Sequence, residues 1–215
     1  MTFKTFRNFA STLAAVAFGL VSAGSLAATS LGSNLTVDDA FDFYVSTNDS
    51  VLGTFVGSGD PWSQTYSFNT NLTSNVTNYI HVIGRDLHGM PEAFLGDFSL
   101  SNTGFAFVNG TQHLLTNTTD WKVSVSGFGG GYQAPVVING TNGVGPWGTL
   151  PNISANAAWI WNPQATNSGT LVYFSTAINP VNAVPEPETY ALMLAGLGVL
   201  GFAARRRQQK VVAAA

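Results

Sequence analysis

Oxygen-bearing side chains are concentrated near residue 40 of the sequence. Asp38, Asp39 and Asp42 lie close together along the chain, and Asn48 and Asp49 follow. Carboxylate and amide oxygens are the ligands that a hard divalent cation prefers, so the three aspartates predict a structural calcium site. The alternative is that Asp38 and Asp39 accept backbone N–H bonds in a turn while Asp42 is solvated.

A second group of titratable residues comprises Arg85, Asp86, His88, Glu92 and Asp97. Glycoside hydrolysis needs two carboxyl groups about 5 to 9 Å apart, and the three acids are candidates by type. The alternative, which we favour, is a strand-to-loop turn in which Arg85 offsets the local negative charge. The sequence has no nucleophile elbow, zincin, phosphate-loop or EF-hand motif, and it has no cysteine. We therefore expect no catalytic residues and a protein that is not an enzyme.

The tryptophans are the other residues that could bind a ligand. Sugar-binding surfaces use exposed aromatic faces together with a few polar groups. Trp62 and Trp147 have proline or glycine neighbours in predicted loops and are the predicted ligand-binding residues; the alternative places both in the core. The other three, Trp121, Trp159 and Trp161, lie in predicted strands and are expected in the core.

Alternating apolar and polar residues indicate the elements that would position these side chains. Residues 41–46 and 121–126 alternate with period two, which predicts strands with one buried and one solvated face. Further strands are predicted over residues 51–56, 65–68, 79–85, 93–100, 105–108, 158–161 and 170–177, separated by Asn, Gly and Pro turns. Nine short strands without a useful amphipathic helix predict an all-β fold, an antiparallel jelly roll or β-sandwich.

The N-terminus has the composition of a targeting segment. Lys4 and Arg7 precede an uncharged apolar stretch over residues 11–21, and Ser25 and Ala27 form a small-x-small cleavage site. This order predicts a secretory signal peptide over residues 1–27.

The C-terminus consists of three parts in a fixed order. Pro185, Glu186 and Pro187 come first, an uncharged stretch over residues 189–204 follows, and Arg205, Arg206 and Arg207 come last. The uncharged stretch predicts one C-terminal transmembrane helix, with the arginines on the cytoplasmic side. The order resembles the PEP-CTERM sorting signal of Gram-negative bacteria, here assigned to residues 184–210. The resemblance implies that an inner-membrane exosortase, which supplies the catalytic residues, cuts near Pro-Glu-Pro. The protein would be anchored in the inner membrane before processing and would then reach the cell surface or the exopolysaccharide matrix.

The region between the two ends contains several short motifs. They lie at residues 37–45, at 57–59 with Trp62, and at 78–85, 120–124, 146–148, 159–161 and 172–174. Together they resemble the galactose-binding-like jelly rolls that are attached to many glycoside hydrolases. The resemblance implies a galactose-binding-like β-sandwich over residues 28–183. The chain departs from the pattern at Ser175, where an arginine is common, and at residues 47–50, where an Asn-Gly turn is frequent.

Charge narrows the classes of partner. Only 9% of the residues are charged, and the central region has two basic residues, Arg85 and Lys122, against nine acids, a net charge of −7. Such a surface repels nucleic acid and anionic polymers and suits neutral or calcium-bridged sugars. The resulting hypothesis is an exported, exosortase-sorted surface or matrix protein with a non-catalytic carbohydrate-binding or adhesion role in exopolysaccharide and biofilm. The alternatives are a purely structural matrix protein without a small ligand and a glycan-acting enzyme.

Overall fold

The computed structural model describes residues 28–89, 91–181 and 187–212. The strands in these ranges are β1 (Ser30–Asp38), β2 (Ala40–Ser46), β3 (Thr54–Gly59), β4 (Tyr66–Asn71), β5 (Asn78–Arg85), β6 (Ala93–Leu100), β7 (Phe105–Phe107), β8 (His113–Leu115), β9 (Lys122–Ser124), β10 (Val136–Thr141), β11 (Ala158–Trp161) and β12 (Leu171–Pro180). One helix follows, α1 (Pro187–Val212). The predicted signal peptide and the motif residues Pro185 and Glu186 lie outside the described residues.

The strands form two six-stranded sheets. Sheet A has the order β10-β11-β6-β1-β4, with β8 also paired to β6. Sheet B has the order β3-β2-β5-β12-β7, with β9 also paired to β12. Neighbouring strands are antiparallel in both sheets. The prediction of an all-β antiparallel sandwich is therefore confirmed.

Three of the described strands, β1, β8 and β10, were not predicted from the sequence. The omission of β1 matters most, because β1 pairs with both β4 and β6 in the middle of sheet A. Its sequence is rich in serine, threonine and asparagine, but Leu31, Leu35 and Val37 are completely buried. Because polar residues separate these three, the sequence pattern did not indicate a strand, although the three side chains are part of the core.

Aromatic side chains fill the space between the sheets. The largest of the completely buried residues in this main cluster are Trp121, Trp161, Phe41, Phe43, Phe94, Phe98, Phe107 and Phe174. Phe94 lies 4.8 Å from Phe174 and 5.1 Å from Trp121, measured between ring centroids. The packing is close at Gly57, where a Cβ atom would lie 2.1 Å from the ring of Phe68. Trp121 and Trp161 thus lie in the core, as predicted.

A second apolar cluster covers the other face of sheet A. Its buried members are Ala93, Leu95, Trp147, Leu150, Ile153, Ala157 and Trp159. The covering segment is held by Asn142, whose side-chain amide donates to the carbonyls of Leu150 (2.9 Å) and Ile153 (2.8 Å). Trp159 is completely buried, as predicted, but in this cluster rather than between the sheets.

The C-terminal helix stands apart from both clusters. Residues 191–206 of α1 are exposed, whereas all residues of the two clusters lie between Leu31 and Ile178. The segment 28–181 therefore contains both clusters and all the described strands, and it is a unit that can be studied on its own. We expected α1 to cross a membrane, but in the described part of the chain no helix has the length and apolarity for this.

Candidate functional site

The side of sheet B that faces away from the core combines aromatic and polar side chains. Phe41 and Phe43 of β2 are buried in the core, so Asp42 and Tyr44 point to the opposite side. Two cross-strand rows on that side are Ser58–Asp42–Ile83–Tyr173 and Phe55–Tyr44–His81–Ser175. We call this surface the outer face of sheet B.

Two aromatic rings form the exposed part of this face. Phe55 is 55% exposed, and its ring centroid lies 5.4 Å from that of Tyr44, with 66° between the ring planes. Tyr44 is half-buried, and burial together with the nearby Asp42 carboxylate raises the pKa of its hydroxyl above the usual value. The pair offers apolar ring surface beside a hydroxyl that stays protonated, a combination that suits sugar rings.

An ion pair and a depression lie next to these rings. The guanidinium of Arg85 donates to Oδ2 of Asp42, and this bond raises the pKa of Arg85 above its usual value. A depression of about 410 Å³ opens over the pair, and its lining also includes Ser58, Asp60 and Tyr66. This volume lies within the range of small-ligand sites. The lining contains hydrogen-bond donors, acceptors and the aromatic side chains of Phe41 and Tyr66, which are the kinds of group that orient a polyol.

The other half of the face is closed by a hydrogen-bonded cluster around Asp49. Its Oδ1 accepts from Ser175 Oγ (2.5 Å) and Tyr132 Oη (3.1 Å) and lies 3.4 Å from His81 Nε2, while its Oδ2 accepts from Lys122 Nζ (2.9 Å). Burial opposes the ionisation of Asp49, but the bonds from Ser175 and Lys122 outweigh it and hold the pKa below the usual value. The cluster joins the β2–β3 connection to strands β5, β9 and β12.

A glycine-rich segment covers the same half of the face. The ring of Phe128 stacks on His81 at 3.8 Å between centroids, and His81 is completely buried. Burial lowers the pKa of His81, so its imidazole is neutral near pH 7. Although His81 belongs to the outer face of sheet B, Phe128 and Asp49 cover it. The open part of the face is the part around Phe55, Tyr44 and Arg85.

The predicted calcium site is not assembled. Asp38 accepts from Trp147 Nε1 (2.7 Å), Asp39 accepts from the N–H groups of Leu87 (2.7 Å) and His88 (2.9 Å), and Asp42 binds Arg85. Asp38 and Asp39 also contact one another, but Asp42 has a different partner, and no group of three His, Cys, Asp or Glu residues in the described ranges could hold a metal ion. The physical reason is the strand geometry: Asp38 ends β1 and Asp39 lies in the bend before β2, while Asp42 points to the outer face.

The two predicted sugar-binding tryptophans differ from expectation. Trp147 is only 5% exposed, because its ring stacks on Trp159 at 4.5 Å and its Nε1 donates to Asp38. The prediction of an exposed stacking face at Trp147 is wrong: the indole is needed for the second cluster. Trp62 is half-buried against the same cluster, and its carbonyl accepts from Thr36 Oγ1 at 2.9 Å. Its role in ligand binding stays a prediction.

Two of the three candidate acids meet, and the third lies elsewhere. Asp86 and Glu92 are 1% and 2% exposed and lie beside one another after β5 and before β6. Asp97 instead binds His113 Nε2 at 2.6 Å and accepts the N–H of Ser154 at 3.0 Å. Burial and the neighbouring acids raise the pKa of Glu92 to about 8.

Sequence reasoning missed Tyr44, Phe55 and Asp49 as site residues. A usable signal existed for Tyr44, because it occupies the same strand face as Asp42 in the period-two pattern of β2. Phe55 could not be aligned with them, since the β2–β3 pairing contains a register shift between Phe43 and Tyr44. Asp49 was assigned to the acidic cluster near residue 40, but its contacts come from strands far along the chain.

Comparison with known proteins identifies one segment. Residues 183–207 match the family model described as the PEP-CTERM protein-sorting motif. No curated protein and no solved structure matches the chain. The match confirms the sorting-signal resemblance, and it covers the Pro-Glu-Pro sequence, the apolar stretch and the arginines. The chain therefore carries a PEP-CTERM sorting signal and is an exported protein that an exosortase sorts to the cell surface.

Proposed function

We propose that this exported protein binds neutral polysaccharide through the outer face of sheet B, as a non-catalytic carbohydrate-binding or adhesion module of the exopolysaccharide matrix. The observation that carries the proposal is the exposed Phe55–Tyr44 pair beside the depression over Asp42 and Arg85. A sugar ring can place its C–H face on the aromatic side chains and its hydroxyls on the ion pair.

The charge of the domain favours a neutral polymer. The region between the targeting segments has a net charge of −7, and both of its basic residues already bind acids, Arg85 to Asp42 and Lys122 to Asp49. A polyanionic glycan would meet a repulsive field and would have to compete with these carboxylates. An uncharged polysaccharide is not repelled and does not compete with these carboxylates for the basic side chains.

The surroundings of the candidate acids support a non-catalytic role. A glycosidase acid must reach the glycosidic oxygen of its substrate. Asp86 and Glu92 are buried, and Asp97 is occupied by His113 and Ser154. These three acids are also separate from the depression, whose lining includes none of them.

A glycan array followed by titration calorimetry on segment 28–181 tests the proposal. We expect binding to neutral polysaccharides and about fivefold weaker binding for Phe55→Ala and for Tyr44→Ala, since one stacked ring contributes about 1 kcal/mol. The matched control is Val137→Ala, an exposed apolar residue (48%) on sheet A, which should bind as the wild type does.

Three results would overturn the proposal. Absence of binding to every glycan would leave a purely structural matrix protein. Release of reducing sugar that disappears in Glu92→Gln would instead indicate a glycan-acting enzyme. Binding that survives Phe55→Ala and Tyr44→Ala would move the site away from this face, and Trp62→Ala would then test the remaining predicted aromatic residue.

A further inference from the structure

Two buried carboxyl groups at one end of the sandwich each have one oxygen without a hydrogen-bond donor among the described residues. Asp86 follows β5 and is 1% exposed, and Glu92 precedes β6 and is 2% exposed. Oδ2 of Asp86 and Oε1 of Glu92 accept no hydrogen bond from any N–H or O–H donor of the described residues. The other oxygen of Asp86, Oδ1, accepts the N–H groups of His88 (3.1 Å) and Gly89 (2.6 Å).

The groups that face this pair are themselves acidic or already occupied. Asp38 and Asp39, at the junction of β1 and β2, add negative charge. The nearby cations have other partners: His88, which is mostly exposed, binds Asp39 at 3.2 Å, and Arg85 binds Asp42. No Lys, Arg or His side chain among the described residues forms an ion pair with Asp86 or Glu92.

Two adjacent buried carboxylates without a cation cannot both remain ionised at low cost. We propose that Asp86 and Glu92 share one proton at neutral pH, in a carboxylic acid–carboxylate hydrogen bond that holds the β5–β6 connection to the end of the sandwich, and that this bond is lost under alkaline conditions. In this bond Glu92 donates to Asp86, and the shared proton joins two side chains that each have one oxygen without another donor. When the bond is lost, the proton leaves to solvent and two adjacent negative charges remain. Burial of Glu92, with Asp86, Asp38 and Asp39 nearby, raises its pKa to about 8.

The pair is connected to the proposed binding face through the backbone. Asp86 directly follows Arg85, and the N–H of Asp39 donates to the Arg85 carbonyl at 2.9 Å. Ala40 lies opposite Arg85 in the β2–β5 ladder and also lines the depression. We expect loss of the proton to loosen the Arg85 end of the depression and weaken glycan binding. This expectation rests on the proposed function.

Unfolding of segment 28–181 between pH 7 and pH 9 tests the shared proton. Because the folded-state pKa of Glu92 is raised, its contribution to stability is complete below the unfolded value of 4.5 and is lost as the pH rises through about 8. For a pKa of about 8, the folding equilibrium constant falls about tenfold between these two pH values. Asp38, whose pKa is raised to about 6, contributes little in this interval.

Glu92→Gln removes the ionisable group but keeps a donor for Asp86. The folding equilibrium constant of this variant should therefore no longer fall between pH 7 and pH 9. Asp60→Asn, a change at an exposed acid, should keep the wild-type pH dependence of unfolding.

Asp86→Asn provides a second test, because without the neighbouring charge Glu92 should titrate at a lower pH. Carboxyl ¹³C NMR of the wild type should show one Glu carboxyl that titrates above pH 7. Equal slopes in the wild type and Glu92→Gln, or a Glu92 carboxyl fully ionised at pH 6, would overturn the proposal.

Titration calorimetry at pH 7 and pH 9 separates this inference from the proposed function. We expect wild-type affinity for the neutral glycan to fall with pH, and the affinity of Glu92→Gln to stay constant. If no variant binds glycan at either pH, the proposed function fails and the unfolding data still decide the shared proton. If wild-type binding is equal at both pH values while unfolding shows the slope, the connection to the binding face is wrong.

Discussion

Replacing Asp49 by alanine is the sharpest test of how the outer face of sheet B is held together. The carboxylate accepts hydrogen bonds from Ser175, Tyr132 and Lys122 and lies beside His81. Ser175 and His81 are both completely buried, and the Asp49 carboxylate is the acceptor that faces them. The Asp49→Ala variant therefore leaves buried polar groups without a partner.

The expected cost follows from counting these groups. A buried polar group left without a partner costs about 1–3 kcal/mol, and two such groups remain, at Ser175 and His81. The contact with Lys122, whose side chain is 46% exposed, adds less than about 1 kcal/mol. We expect a total destabilisation of about 3–5 kcal/mol, a large part of the stability of a domain of this size.

Urea unfolding of segment 28–181 measures this cost. With a slope of about 2 kcal/mol per molar, the unfolding midpoint should fall by roughly 2 M. Ser175→Ala should be coupled to Asp49→Ala, with the double variant less destabilised than the sum of the single ones. Asp60→Ala, at an exposed acid, should change stability by less than about 0.5 kcal/mol. A loss below about 1 kcal/mol for Asp49→Ala, or strict additivity with Ser175→Ala, would refute the reasoning.

Acid titration adds an independent observable for the same residue. Because the pKa of Asp49 is lowered in the folded protein, its contribution to stability is present above the unfolded value of 3.8 and is lost as the pH falls through the folded value. The stability difference between the wild type and Asp49→Ala should therefore shrink as the pH falls below 4. A difference that stays constant down to pH 2 would mean that the carboxylate charge has no role.

Three further predictions concern packing and sorting. Gly57→Ala should destabilise the domain by about 1–3 kcal/mol in urea unfolding, because the added Cβ would lie 2.1 Å from the ring of Phe68. An unchanged free energy of unfolding would show that Phe68 has room to move. Trp147→Phe should cost about 2 kcal/mol or more in the same assay, since the bond to the Asp38 carboxylate is lost and the ring is smaller. Alanines in place of Pro185, Glu186 and Pro187 should keep the chain uncleaved in the membrane fraction; intact mass after fractionation measures this, and normal release to the surface would contradict it.

The sequence predicted most of the sandwich because its strands alternate clearly or are continuously apolar. Where side chains point to opposite faces, as on β2, the pattern also identified which residues face the core. The pattern failed on β1, because a strand with apolar residues at Leu31, Leu35 and Val37 between small polar ones looks like a loop. Burial of this strand is imposed by its two neighbours in sheet A, which local sequence does not reveal.

The candidate site was less predictable for a physical reason. Asp38, Asp39 and Asp42 were expected to converge on one cation, but Asp42 points to the outer face of sheet B and binds Arg85, whereas Asp38 and Asp39 lie at the β1–β2 junction. Trp147 was predicted to bind a ligand because proline and glycine flank it, with burial in the core as the alternative. It is buried because the long segment that contains it folds back onto sheet A and needs an apolar anchor. The spacing of residues along the sequence does not predict packing between such distant segments.

The small number of basic residues explains why the carboxylates of this domain are stabilised in different ways. Its two basic residues, Arg85 and Lys122, both neutralise carboxylates on the outer face of sheet B. The carboxylates at the β1–β2 and β5–β6 junctions must then be stabilised by other means: backbone N–H groups for Asp39, an indole N–H for Asp38, and a proton for Glu92. Only the last of these depends steeply on pH near neutrality, so the β1–β2 and β5–β6 junctions are the part of the sandwich that should respond to alkalinity. Adding a cation there provides a decisive check. Leu87→Lys, at an exposed position directly after Asp86, should lower the pKa of Glu92 and flatten the pH dependence of unfolding between pH 7 and pH 9.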